Sequence, residues 1–124
     1  MNPLTLLLVA VAGGVGAGLR YLVDAGVTAI ARGRFPWGIL VVNISGSFAL
    51  GVVTGAVPAS DLTWILGTGL LGGYTTFSTV AVETWLLGEK RDVRGLWGNV
   101  VGTAIACFVA AGIGVASASF LLAT

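Results

Sequence analysis

No histidine occurs in this chain, cysteine occurs once, at Cys107, and charged residues make up only 9% of it. Each shortage excludes something. With no histidine, and with its one thiol inside an apolar run, the chain lacks a nucleophile with a base beside it, which makes an enzyme the least favoured class. A single cysteine rules out an internal disulfide. The net charge is +1, and no basic patch with interleaved aromatics points to nucleic acid. What remains is 56% hydrophobic with a mean hydropathy of +1.02, far from the roughly one quarter of charged residues found in soluble domains. This composition belongs to a membrane protein whose solvent is mostly lipid.

The charges fall at Arg20, Asp24, Arg32, Arg34, Asp61, Glu83, Glu89, Lys90, Arg91, Asp92 and Arg94, so the gaps between them are directly legible. Four long gaps remain, at residues 1–19, 35–60, 62–82 and 95–124. Crossing about 30 Å of hydrocarbon takes roughly 20 helical residues. An all-α membrane protein of one domain, residues 1–124, is therefore expected, with four transmembrane helices over approximately 3–23, 35–57, 62–87 and 95–122. The amino-terminal run lacks a basic leading segment and continues into Arg20, Tyr21 and Asp24, so it is read as a span and not as a secretory signal.

With four spans, the first and third loops share one side of the membrane. Arg32, Arg34, Lys90, Arg91 and Arg94 all fall there, and the other side has no Lys or Arg. The positive-inside rule then predicts one fixed orientation, with both termini outside.

Glycine, with 20 residues, is concentrated inside the spans. In lipid, small residues let helix backbones approach closely. Spacing of four marks ridges at Gly14 and Gly18, at Ser47, Gly51 and Gly55, and at Gly98, Gly102, Ala106, Ala110 and Gly114. Ridges this numerous on four short helices predict an oligomer. Two polar lines share the same spacing: Asn43 with Ser47, and Asn99 with Thr103 and Cys107. Their groups carry no charge and, apart from the weak thiol, donate hydrogen bonds well, which suits a path that strips water from a small anion without holding it too tightly.

The segment GGYTTFST, Gly72 to Ser78 and on to Thr79, interrupts the third span. Glycines and hydroxyls both compete against the helical ladder, which predicts a break over Gly72–Phe77. Unwound backbone at membrane depth is tolerated only where protein or a wet cavity covers it. Its freed carbonyls can coordinate a cation, and half-helix ends can favour an anion.

GGVGAGLRY in the first span, VVNISGS in the second and GLLGGYTTFSTVAVE in the third resemble, in order and spacing, the signature segments of the Fluc-type bacterial fluoride channels. The resemblance covers essentially the whole chain. It implies a passive, fluoride-selective channel in the bacterial plasma membrane, built as an antiparallel dimer, that lets fluoride leave the cytoplasm and relieves its toxicity. It further implies a structural sodium ion at the dimer interface held by the backbone carbonyls of Gly72 and Thr75. A fluoride path is expected along Asn43, Phe77, Ser78, Thr79, Val80, Asn99, Thr103 and Cys107, and Arg20 and Glu83 match further family positions. A phenylalanine ring presents its positive edge to an anion, which would be the role of Phe77.

Two departures stand out. The family motif usually ends with a second phenylalanine where this chain has Val80, and Cys107 is the weakest donor of the fourth-span line. Together with the one-sided loop charges, which discourage insertion both ways, they point to one subunit of a heterodimer whose partner is a paralogous chain of opposite orientation, a homodimer being the alternative. A non-conducting partner subunit and a small proton-coupled multidrug transporter are the rival functions. The transporter wants an embedded carboxylate in the first span, and only Asp24, near its end, is available.

Overall fold

The computed structural model describes residues 1–33 and 35–124; Arg34, one of the first-loop cations, lies outside them. Among the described residues, four apolar helical segments are long enough to cross a membrane: Pro3–Ala31, Trp37–Ala56, Asp61–Glu89 and Val93–Ala123. Connections of a few residues make sequential spans antiparallel neighbours. Arg32, Lys90, Arg91 and Arg94 therefore gather at one end of the bundle, and the two chain termini gather at the other.

The first helix starts where Asn2 accepts a 2.8 Å hydrogen bond from the Thr5 N–H, with Pro3 in the first turn, a favourable position because proline lacks an N–H to leave unpaired. It continues two turns past residue 23, because the segment after Asp24 contains no proline and a lone Gly26 does not stop it before Arg32 (φ 40°) and Gly33 (φ 138°) turn the chain. At 29 residues it is roughly 44 Å long, so its end projects beyond the hydrocarbon. The third span closes with the Arg91 N–H donating to the Gly88 carbonyl and the Asp92 N–H to the Leu87 carbonyl, with Arg91 left-handed at φ 55°. These two bonds pair carbonyls that a helix end leaves free. Asp92 then caps the fourth span through the Gly95 N–H at 2.9 Å.

The third span is not one regular helix. Its first half winds wide, as a π-helix over Trp64–Leu71, returns to α geometry at Gly72–Tyr74, and breaks. The break lies inside the expected stretch and is confined to Thr75–Phe77, after which an α-helix runs over Ser78–Glu89. Gly72 and Gly73 stay helical. Gly73 is small for a different reason: a Cβ there would strike the Gly13 carbonyl of the first span, whereas a Cβ at Gly72 would fit. A second wide stretch, Gly98–Gly102, opens the fourth span and carries Asn99.

Packing divides along the break. The second and fourth spans make the most extensive contact, the first half of the third span packs on the first, and its second half crosses to the start of the fourth. Gly51 and Gly55 press on Ala111, Val115 and Ala118, and Gly114 presses on Phe48 and Gly51, as their ridges predict. The first span differs from expectation. Gly14 and Gly18 meet no atom within 4 Å, whereas an added Cβ at Gly16 would overlap the Leu70 carbonyl. A spacing of four on one helix identifies a face but does not say which of the faces is covered. At the far end Thr5, buried, donates to Asp61 Oδ2 at 2.7 Å and ties the first span to the third.

The backbone contact between the first and third spans yields a prediction. Gly16→Val or Gly73→Val should prevent recovery of folded protein in detergent, whereas Gly14→Ala should leave the thermal unfolding midpoint of the subunit within a few degrees of wild type.

Candidate functional site

An interrupted helix must pair its exposed backbone groups, and here a side chain from the second span does so. The last ladder bond before the break is Thr75 N–H to Leu71 carbonyl, at 2.9 Å. One residue on, the Thr76 N–H, which in a continuous helix would reach Gly72, donates instead to Asn43 Oδ1 at 2.8 Å. The Asn43 Nδ2 returns a bond to the Thr76 carbonyl at 2.9 Å. Asn43 is buried, so this reciprocal pair replaces two groups of water.

Thr76 also starts the second half-helix. Its Oγ1 accepts from the Thr79 N–H at 3.2 Å, in the manner of a helix N-cap, and the first ladder bond follows, Ala81 N–H to Phe77 carbonyl, at 2.9 Å. Held between Asn43 and this cap, Phe77 is 84% exposed.

The side of the bundle that Phe77 faces is a cleft of about 1120 Å³. Asn43, Ser47, Gly72, Thr75, Thr76, Phe77, Val80, Thr103 and Cys107 all border it, so both polar lines and the broken segment converge on one space. The walls are mostly apolar, with Leu50, Trp85, Leu96 and Val100 among them, and Glu89 borders the end near the basic loops.

Other expected positions lie elsewhere. Asn99 is completely buried behind the wall: its Nδ2 donates to the Val80 carbonyl at 3.3 Å and to Thr84 Oγ1 at 2.9 Å, and its Oδ1 accepts from Thr103 at 3.5 Å. The amide thus fastens the second half-helix to the fourth span. Ser78 is exposed and Thr79 half-buried, and neither lines the cleft. Val80 lines it with a buried side chain. Glu83 is half-buried and off the cleft wall. Arg20, also off the wall, donates from Nη1 to the Thr75 carbonyl at 3.5 Å, the outer limit of a hydrogen bond. Asp24 accepts from the Thr28 hydroxyl at 3.3 Å, close to Gly38 at the start of the second span and away from the cleft.

Thr84, Trp85 and Glu89 border the cleft without having been marked in the sequence. For Thr84 a signal existed: Val80, Thr84 and Gly88 fall at spacing four, on one face of the half-helix.

Comparison with known proteins finds relatives along most of the chain. The family described as CrcB-like protein, Camphor Resistance (CrcB), matches residues 7–115. The chain is similar to the fluoride-specific ion channel FluC 1 of Leifsonia xyli subsp. xyli, 42% identical over 118 residues that cover 92% of this chain and 86% of the relative. FluC 2 of Mycolicibacterium paratuberculosis is 43% identical over 106 residues, 86% of this chain and 87% of its own. FluC of Geobacter sulfurreducens is 39% identical over 119 residues, 92% and 96% of the two chains.

Removing the Asn43 amide orphans the N–H and the carbonyl of half-buried Thr76, groups that cost about 1–3 kcal/mol each when fully desolvated. Asn43→Ala should therefore lower unfolding stability in detergent by about 2–5 kcal/mol, and Asn43→Asp, which keeps the acceptor but cannot donate, should fail to restore it.

Proposed function

This chain belongs to the CrcB-like family, and on that premise we propose that it is a fluoride-selective passive ion channel that lets fluoride leave the cytoplasm. The observation that carries the reading is the broken third span, which holds Phe77 exposed in a membrane cleft bordered by neutral donors. A small anion loses hydration in such a space and gains hydroxyl protons and ring edges in return. Neutral partners on the wall replace water one hydrogen bond at a time, none of them strong enough alone to trap the ion. Ser47 and Phe77 are the groups on the wall suited to that exchange, whereas Thr76 and Thr103 donate their hydroxyl protons to Thr79 and Asn99.

The dimer follows from what one subunit leaves uncovered. A cleft open along one side, with Phe77 at 84% and Trp85 at 71% exposure beside the polar groups of Asn43, Thr76 and Thr84, fits a second subunit better than lipid, which leaves polar groups unpaired. The partner is a paralogous chain inserted in the opposite orientation. Arg32, Lys90, Arg91 and Arg94 at one end of the bundle favour a single orientation for this chain, with its termini outside. The names FluC 1 and FluC 2 among the relatives fit organisms that carry more than one such chain. Val80 supplies no ring to the wall, which favours a division of labour in which the path on this subunit's side is the weaker one. In the extreme form of that division this chain is the non-conducting half.

A sodium ion at the subunit interface fits the donors this chain offers. The Gly72 carbonyl loses its helical N–H partner to Asn43, and the Thr75 carbonyl lies past the last ladder bond. Backbone oxygens suit a hard cation. Gly72 and Thr75 would hold it, and it would supply fixed positive charge beside the anion path. Arg20 stands against the same Thr75 oxygen, so this chain keeps a second positive charge close by.

Fluoride efflux from potassium-loaded liposomes with valinomycin tests the function. Efflux is expected from this chain mixed with an oppositely biased homologue, and little from this chain alone. Full efflux from this chain alone would remove the heterodimer and show that Val80 suffices; no efflux from any combination would remove the channel. Exchanging sodium for N-methyl-D-glucamine should lower the thermal unfolding midpoint of the assembled channel, and an unchanged midpoint would remove the cation site.

A further inference from the structure

Threonine hydroxyls in helices usually donate to the carbonyl four residues back, and in this chain Thr54 does so to Leu50 at 2.8 Å and Thr75 to Leu71 at 2.9 Å. Thr84, on the cleft wall, makes no such bond. Its carbonyl four residues back is Val80, and that oxygen accepts from the buried amide of Asn99. The same amide donates its other proton to Thr84 Oγ1 at 2.9 Å. One nitrogen thus takes the acceptor that Thr84 would have used and occupies a lone pair on the Thr84 oxygen. A hydroxyl has one proton and two lone pairs, and among the described residues the Thr84 hydroxyl donates no hydrogen bond while it accepts from Asn99. Thr84 lines the cleft on the side of the basic loops, on the same helix face as Val80.

We propose that Thr84 is a direct hydrogen-bond donor to the permeating anion, and that Asn99 is a positioning residue that aims it, instead of a ligand in the path. The proposal rests on the channel reading above. An amide with 0% exposure cannot meet an ion in the cleft. Its effect reaches the cleft through the Thr84 oxygen, and because Asn99 donates to that oxygen it also polarises the O–H toward a negative partner. On Phe77's side of Val80 the wall offers a ring edge, and on the far side it offers this hydroxyl. The missing second ring at Val80 therefore leaves a path whose next polar contact is Thr84, one helical turn further along.

The test uses fluoride efflux in whichever liposome assembly conducts, with the unfolding midpoint recorded for each variant. Thr84→Val keeps the shape and removes the proton, and should lower fluoride turnover by about tenfold to a hundredfold, the size expected for one hydrogen bond to a charged partner. Thr84→Ser should recover most of that loss. Asn99→Leu frees the Val80 carbonyl, which Thr84 then takes as an ordinary helical acceptor, turning its proton from the cleft. Turnover should fall, and adding Thr84→Val to Asn99→Leu should lower it no further. That non-additivity is what a merely structural asparagine would not produce. Wild-type turnover in Thr84→Val, or full additivity of the two changes, would overturn the proposal. If Thr84→Val does not fold, Thr84→Ser at the Val-like level of a dead channel would overturn it equally. Wild-type protein without fluoride flux in any assembly would overturn the channel reading and this proposal with it.

Discussion

Lipid offers no partner to a broken helix, so every N–H and carbonyl released at membrane depth has to be paired within the protein. In this chain the requirement falls on Asn43. Its amide is both donor and acceptor, and a single side chain thereby satisfies both backbone groups of Thr76 with bonds of 2.8 and 2.9 Å. A charged residue would supply only one of the two functions, and its ionisation would add a desolvation cost that a neutral amide avoids. With that pair in place the third span can change direction, Thr76 can cap the next helix, and Phe77 can stand out from the bundle. Without it, the glycine contacts above the break and the half-helix below it would have no fixed relation to each other.

The rest of the subunit makes the same trade between neutral hydrogen bonding and close packing. Few large side chains are fully buried, Leu87 and Val42 among them, and much of the interhelical contact is backbone against backbone through Gly16, Gly51, Gly73 and Gly114. Dispersion at such short range supplies the association that the hydrophobic effect cannot supply between helices in lipid. Asn99 repeats on the fourth span what Asn43 does from the second. Between them the two amides hold the half-helix Ser78–Glu89 at its start and one turn in, and the face left between these anchors is the one that borders the cleft.

Much of this was legible in the chain itself. Charge-free runs gave the number of spans, the loop cations gave a shared end, and GGYTTFST marked where the third span would fail. The reason is that each depends on local chemistry: lipid rejects charge wherever it is, and glycine next to hydroxyls weakens a helix whatever surrounds it. Spacing also gave correct faces for Gly51, Gly55 and Gly114. It could not say that Gly13 and Gly16, and not Gly14 and Gly18, meet the third span, since both pairs are small and both lie on one helix.

The division between Asn43 and Asn99 shows where sequence stops. Both are amides inside spans, each at spacing four from a hydroxyl residue, and alone they look alike. Only the crossing of the helices places Asn43 on the cleft with its amide on the broken backbone, and buries Asn99 against Val80 and Thr84. Residue types determine which hydrogen bonds are possible. Which of them form, and whether the proton left over points into the cleft or into the ladder, depends on distances of a few ångströms between segments far apart in the chain, and those are set by packing alone.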